Sequence, residues 1–589
     1  MRLCIDLAAL RGAGRQGAVG AIEPAPAWSE DGRVAALCTL DPAAPRPDGR
    51  ASATRIAQRW LQSWERAPGK WPDLDGVAAA GVIIDLDRGE VLAAVDRMGV
   101  HTLYWSQDGA LLRIASSAAD VLPVGTERPE IDPAALYAYV YFHHVPSPLC
   151  IYRGVAKLPR AHFLRASAGA ATVQRYRLET FAEQLDGATD AIAGALIETL
   201  DAAVGRSMQD ETAIGAFLSG GLDSSTVAGL MARRLGTVPA HSFSIGFQAD
   251  GYDEMEYARV AARHFGLEAH EHYLTPDEVL EATPPLLRAT DEPFGNSSIP
   301  AAYRCAMLAR TAGVSCLLAG DGGDELFAGN SRYAKQLLFE KYQRIPSALR
   351  RGVLEPVVGP LGRALPASAV GKLARYIEQA RVPLPDRLQS YNYLHRHAPS
   401  EVFVPAFLES VDSAQPLRLW REEYGAPERG DAVNRMLFLD WAFTLHDNDL
   451  VKVNTACRVA GMQVAYPMLD HALVDLACTL PGRLKMQDGE LRTFYKNATR
   501  GLLPPEIIAK TKHGFGLPFG VWTRTHPGLR RMSETALDSL AARGVFRRSF
   551  LEETLRLHRE GHAAYYGELV WVLTALELWL DARGGMAAP

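Results

Sequence analysis

The sequence predicts an α/β chain: a layered α+β head, then a body built on a parallel sheet, ending in a largely helical part. Three observations carry this. Short apolar runs separated by tight-turn residues fill the stretch from Val77 to Ser117. From Ile214 the rhythm becomes apolar strand, glycine loop, helix, and it repeats. After about residue 335 helical patterns dominate, broken by joints such as PVVGPLGRALPAS and RVPLPDR.

In the head, VAAAGVIIDLDRGEVLAAVDR and HTLYWSQDGALLRIASS read as hairpins turning at Asp-Arg-Gly and Gln-Asp-Gly. Upstream, MRLCIDLAALRGAGRQG spells G-x-G-x-x-G with Gly12, Gly14 and Gly17. A dinucleotide turn must open a helix that faces the pyrophosphate. The residues that follow, AVGAIEPAPAWSE, carry two prolines and no helical period, so a surface turn is expected instead. Residues 40–55 (LDPAAPRPDGRASATR) are expected to be an exposed loop. A helix from about Asp190 leads into the body, and the domains are divided as 1–185 and 186–589.

Bulk properties bound the function. With 589 residues, 48% hydrophobic and 22% charged, the composition is that of a soluble multidomain protein. A net charge of −6 gives no basic footprint for nucleic acid. No run reaches the roughly 18 apolar residues of a membrane span. Seven dispersed cysteines without C-x-x-C spacing suggest reduced thiols and a cytoplasmic location.

The first chemical signal is Ser219-Gly220-Gly221-Leu222-Asp223-Ser224-Ser225, between the strand AIGAFL and the helix STVAGLMARR. Glycines let the backbone approach an anion, and the N–H groups opening a helix attract it. A Walker A loop would need a lysine that is absent here. Asp223 inside the loop would repel a polyphosphate unless a divalent cation lay between them, so it is expected to bind Mg²⁺. The second signal, Ala319-Gly320-Asp321-Gly322-Gly323-Asp324-Glu325, follows the strand VSCLL. Three carboxylates within five residues repel one another unless a cation gathers them. Two further clusters are given bland readings. His270-Glu271-His272 puts two histidines on one strand face with no third ligand apparent, so a solvated strand edge is expected. His143-His144 is expected to be a packed loop.

SGGLDSS resembles the pyrophosphate loop of the ATP-pyrophosphatase superfamily. Together with AGDGGDE it resembles the asparagine synthetase B family, in which the matching segment reads SGEGSDE or SGDGGDE. The resemblance extends through HSFSIGF, DEPFGNSS from Asp291 and KTKHGFGLPFGVW from Lys510, over roughly residues 75–525. AVDRMGVHTLYW is similar to the "RDxxGxxPLYY" strand pair of that family's glutaminase domain. The resemblance implies an Ntn-hydrolase-like head and an ATP-pyrophosphatase body. It implies that Leu218, Ser219, Gly220, Gly221, Asp223, Ser224, Ile245, Ala319 and Gly320 hold ATP and pyrophosphate. Asp223 and Asp324 would hold Mg²⁺. Lys512 matches the catalytic lysine, and Asp321 would orient or deprotonate the incoming amine. The implied reaction joins a carboxylate to an amine or ammonia through an acyl-adenylate, releasing pyrophosphate and AMP.

Departures from the family redirect the expectation. Position 2 is Arg and Cys4 is internal, so the cysteine nucleophile of the glutaminase is missing. The RHRGP, NGEIYN and GSDxE segments are not found either, and no glutaminase activity is expected. Where relatives read LEARVPFLD, this chain reads MQVAYPMLD, with Gln463 and Ala465 replacing Glu and Arg. β-Lactam synthetases carry Tyr where this chain has Asp321. A degenerate head and a replaced acceptor segment suit a ligase resembling lasso-peptide cyclases, working with a precursor peptide and its processing enzymes. The alternatives are a true asparagine synthetase, glutamine- or ammonia-dependent, an enzyme amidating a polysaccharide uronic acid, and a non-catalytic scaffold.

Overall fold

A computed structural model describes residues 1–10, 19–23, 26–39, 49–69, 79–123, 125–126, 128–167, 169–185, 187–208, 213–249, 251–364, 369–390, 392–511 and 516–584. Gly12, Gly14, Gly17 and Lys512 lie outside the described residues.

The head is a four-layer stack. One sheet has the order β2 (Val19–Glu23), β1 (Arg2–Asp6), β8 (Leu111–Ala115), β7 (Tyr104–Asp108), β9 (Ala156–Lys157). The other runs β11 (Ala170–Arg175), β10 (His162–Ser167), β6 (Glu90–Val95), β5 (Ala80–Asp85), β4 (Val34–Thr39), β3 (Ala27–Trp28). The two expected hairpins are β5–β6 and β7–β8, both antiparallel. Alternation of side chains along each strand builds the layers. Leu3 and Ile5 of β1 and Leu112 and Ile114 of β8 meet Leu37, Val82, Ile84 and Leu164 between the sheets. Ala36, Cys38, Ile83 and Leu92 point the other way, onto Trp60, Leu61 and Trp64 of helix α1 (Gly49–Arg66). Helix α2 (Pro133–Phe142) covers the opposite side, where Leu136 and Tyr139 share a core with Tyr104 and Ala115.

Residues 49–55, read as loop, begin α1, because the good helix formers of RASATRIAQRWLQSWER precede an apolar stripe that docks on the sheet. His143 closes α2 in a left-handed conformation, and burial lowers the pKa of His144 to about 4. The pair is a packed loop, as expected.

The body begins with α3 (Thr189–Ser207) and alternates β12 (Ile214–Phe217), α4 (Leu222–Leu235), β13 (His241–Phe247), α5 (Met255–Phe265), β14 (Glu268–Leu274), α6 (Pro276–Ala289), α7 (Ile299–Thr311), β15 (Cys316–Leu318) and α8 (Gly323–Phe327). With β16 (Gln463–Ala465) the strands form one parallel sheet in the order β14-β13-β12-β15-β16. Helices on its faces explain why β12 and β15 are nearly continuous apolar runs. From Ser331 onward the chain is mostly helical, ending in the largely buried helix Ala563–Asp581.

The seam between head and body carries buried ion pairs. Arg97 pairs with Glu179 and reaches the His471 carbonyl (3.2 Å). Lys157 lies 2.7 Å from Glu292 and 3.3 Å from Asp447, with all three side chains buried. Burial alone would lower the pKa of Lys157, but the two carboxylates outweigh it and hold the ammonium well above its usual value. Its contribution is therefore complete at physiological pH and is lost only in strong alkali, as the pH rises through the raised folded-state pKa. Replacing Lys157 by Met strands two buried carboxylates. We expect a destabilisation of about 3–5 kcal/mol, read as a lower urea midpoint at pH 7; an unchanged midpoint would show that the network is not structural.

Candidate active site

The parallel sheet reverses direction of growth between β12 and β15, since β13 and β14 lie on one side and β16 on the other. At such a switch point the loops leaving the two strands diverge and open a crevice at their carboxyl ends. Both chemical segments of the sequence arise there, SGGLDSS after β12 and AGDGGDE after β15.

The first loop is held by its own hydroxyls. Leu218 continues the strand pairing by donating its N–H to the Phe243 carbonyl (2.9 Å), and Ser244 Oγ donates back to the Leu218 carbonyl (2.7 Å). Ser219 N–H donates to Ser224 Oγ (3.2 Å), and the two hydroxyls are 3.1 Å apart. Gly220 has φ +67°, and a Cβ there would lie 2.4 Å from the Ala258 nitrogen, so only glycine makes this turn. Gly221 begins α4 without a side-chain cap, which leaves the helix-start N–H groups for an anion. Lys510 braces the loop from outside. Its Nζ lies 3.3 Å from the Gly220 carbonyl, 3.4 Å from that of Ser219 and 3.1 Å from Glu254. Ile245 lies on β13, the strand beside Leu218.

The second loop packs against the first. Ala319 is buried and donates its N–H to the Ala465 carbonyl (2.9 Å). A Cβ on Gly320 would stand 2.7 Å from the Ser224 nitrogen, so the two backbones touch at this residue. The three carboxylates then diverge. Asp324 turns to Asp223, and the Arg492 guanidinium fills the gap, its Nη1 2.5 Å from Asp223 Oδ2 and 3.0 Å from Asp324 Oδ1. Asp321 faces Lys452 (4.0 Å), which also holds Asp449 at 2.8 Å. Burial raises the pKa of Asp321 to about 6, against the pull of Lys452. Burial, with Asp449 and Asp440 nearby, raises that of Glu325 to about 8, so it is largely protonated at neutral pH.

The fold thus brings Leu218, Ser219, Gly220, Gly221, Asp223, Ser224, Ile245, Ala319, Gly320, Asp321 and Asp324 to the same edge of the sheet. Three cations were missed from the sequence. Lys510 belongs to the basic segment already noted. Lys452 and Arg492 had no local signal, because each reaches the cleft from a distant part of the chain, Lys452 from within the continuous helical run 432–460 and Arg492 from the residue before the helix Thr493–Thr499. Arg492 is buried, adopts φ +60° and stacks 4.4 Å from the Tyr495 ring. Burial disfavours its charge, but Asp223 overrides this and its pKa is raised. A separate cavity of about 1060 Å³ opens at the head–body seam, lined by Phe163, Tyr176, Phe181, Asp475 and Thr479. It contains none of the expected site residues.

Comparison with known proteins matches both units. The family described as asparagine synthase covers residues 195–581, and a glutamine amidotransferase domain covers residues 66–177. Asparagine synthetase (glutamine-hydrolyzing) 1 of Bacillus subtilis is 24% identical over 434 residues, which are 73% of this chain and 66% of that protein. A Mycobacterium bovis protein described as an asparagine synthetase (glutamine-hydrolyzing) is 26% identical over 506 residues, 83% of this chain and 74% of that one.

The contact at Gly320 can be tested directly. Gly320→Ala must push the two loops apart, and such overpacking costs about 1–3 kcal/mol. Pyrophosphate binding measured by calorimetry should weaken by about tenfold or more while the far-ultraviolet spectrum is unchanged. Wild-type affinity in this variant would mean that the two loops do not form one anion site.

Proposed function

Because the chain belongs to the asparagine synthase family, we propose that it is an ATP-dependent, AMP-forming amide ligase. It adenylates a substrate carboxylate and passes the acyl group to an amine or ammonia that its own head does not generate. The observation that carries this is the pair of glycine–acid loops meeting at the switch point, with Asp223 and Asp324 drawn onto one cation. In this reading residues 1–185 are the head and 186–589 the ligase body, acting in the cytoplasm.

Each group has a task. Ser219, Gly220, Gly221 and Ser224 receive pyrophosphate on hydroxyls and helix-start N–H groups. Leu218, Ile245, Ala319 and Gly320 border the rest of ATP. Asp223 and Asp324 are the oxygen donors for Mg²⁺, which supplies neutralisation of the leaving phosphates. The guanidinium that bridges them supports this assignment, since the same two carboxylates already converge on positive charge. Lys512 counters charge on the α-phosphate and on the later tetrahedral centre. Asp321 accepts a proton from the attacking amine, with Lys452 holding it in place.

The missing glutaminase chemistry is supported by Cys4. It lies within β1, paired with Arg113 of β8, so it has no α-amino group of its own to activate a thiolate. The changed segment at Gln463 and Ala465 favours a carboxylate other than free aspartate, such as an Asp or Glu side chain of a precursor peptide or a small metabolite. The second reading, synthesis of asparagine itself, is favoured by the names of the relatives.

An ATP–pyrophosphate exchange screen with aspartate, uronic acids and peptides bearing internal Asp or Glu decides between them. Exchange with a peptide and not aspartate is the expected result; exchange with no carboxylate would favour a scaffold. Asp223→Asn, Asp324→Asn and Lys512→Ala should each lower AMP and pyrophosphate release by at least about 10²–10³-fold, and normal turnover in any of them would overturn the mechanism. Activity should rise with pH through about 6, the value to which Asp321 is raised, and Asp321→Asn should abolish that limb. Glutamate release from glutamine should be undetectable, and measurable release would show that the head hydrolyses it.

A further inference from the structure

We infer that the N-terminal end of the parallel sheet carries a zinc site formed by His241, Glu268 and His270, separate from the cleft at the other end. The site does not depend on the reaction proposed above.

The register of two neighbouring strands brings the three residues together. His241 opens β13 opposite Glu268 of β14, and Phe243 lies opposite His270. Side chains alternate along a strand, so His241, Glu268 and His270 share one face. His241 Nδ1 is 3.1 Å from His270 Nε2. Glu268 Oε2 lies 3.7 Å from His241 Nδ1, and its Oε1 lies 3.7 Å from His270 Nε2. Zinc binds imidazole nitrogen and carboxylate oxygen at about 2.0–2.2 Å, which sets the edges of a ligand tetrahedron at roughly 3.3–3.6 Å. Glu268 offers a different oxygen to each imidazole, and one ligand atom from each residue lies within 4.8 Å of the others, so the adjustment that closes them onto one ion falls mainly on the exposed Glu268 side chain.

The two imidazoles are also held in place. Phe243 stacks on the His270 ring with centroids 4.8 Å apart and planes 15° from parallel. The His241 ring is tilted 42° from that of His270, which lets the two nitrogens converge. His272, next on the same face, is taken by Glu278 (2.9 Å) and does not take part. The two histidine side chains are about a quarter exposed and Glu268 is 54% exposed, so water can fill the fourth position. Two nitrogens and one oxygen suit zinc, whereas magnesium takes oxygen donors. The β13 strand has seven residues, so the site stands roughly 20 Å from the carboxyl end where nucleotide chemistry is placed. In a metal-free protein the same two rings would share only one hydrogen bond.

The consequence is mechanical. Strand β14 is at the edge of the sheet, and a bound ion ties it to β13 at the end where the pairing begins. The test uses the full chain, stripped with a chelator and assayed in excess Mg²⁺. Calorimetry should show zinc bound with a component that His241→Asn/His270→Asn loses or weakens roughly 100-fold, and Co²⁺ should give the visible bands of a tetrahedral N/O site. Zinc should also raise the melting temperature of the wild type but not of the double variant. Glu268→Gln, at an exposed position, is the milder variant and should weaken binding with the fold intact by circular dichroism. Equal zinc affinity in wild type and variants, or no zinc uptake by the folded wild type, overturns the assignment.

Discussion

Two carboxylates on neighbouring loops cannot share a narrow cleft unless positive charge lies between them. That constraint, imposed by Asp223 and Asp324, organises much of the body. The strand order places the two loops at one switch point. Gly320 lets the backbones touch, which brings the acids within reach of one guanidinium. Arg492 is delivered to them by a residue in a left-handed conformation, a geometry that a long side chain adopts only when its surroundings impose it. The other charges follow. Lys452 holds Asp449 beside Asp321, Lys510 spans to Glu254, and burial raises the pKa of Glu325.

What the sequence could disclose was what local backbone chemistry dictates. The close approach that requires Gly320 is to Ser224 on the other loop and shows in the sequence only as a glycine-rich segment, whereas Gly220 sits at a positive-φ turn that its own loop announces. The hairpins of the head were legible for the same reason, as was the strand–loop–helix rhythm of the body. Residues 49–55 were misread because Pro42, Pro45 and Pro47 before them, and Gly49 itself, resemble a loop, while the apolar stripe that makes the helix worthwhile comes later, at Trp60 and Trp64. Arg492 and Lys452 were not legible, since 269 residues separate Arg492 from Asp223 and nothing in the intervening chain announces the pairing. The histidines at 270 and 272 show the same limit. Their shared face was evident, but the partner that matters, His241, comes from the adjacent strand.

Contacts and burial give the three acids of one short segment three different surroundings. At neutral pH Asp324 is drawn to a guanidinium, Asp321 is ionised but raised close enough to the working range to exchange a proton, and Glu325 is largely protonated. Similar carboxyl groups in the sequence thus acquire three different environments through burial and neighbours. Three carboxyl groups therefore fit into five residues with their mutual repulsion reduced.

The seam between the two halves has a bearing on how this protein can be cut, fused or allowed to drift. Lys157 belongs to a head strand, yet its charge answers Glu292 and Asp447 of the body. A body separated from the head would expose two acids shaped to meet an ammonium, and a head with altered β9 would leave them buried without one. Whatever becomes of the head's own chemistry, its sequence is therefore tied to the body's at this lysine. Recombination between relatives would succeed only when all three residues travel together.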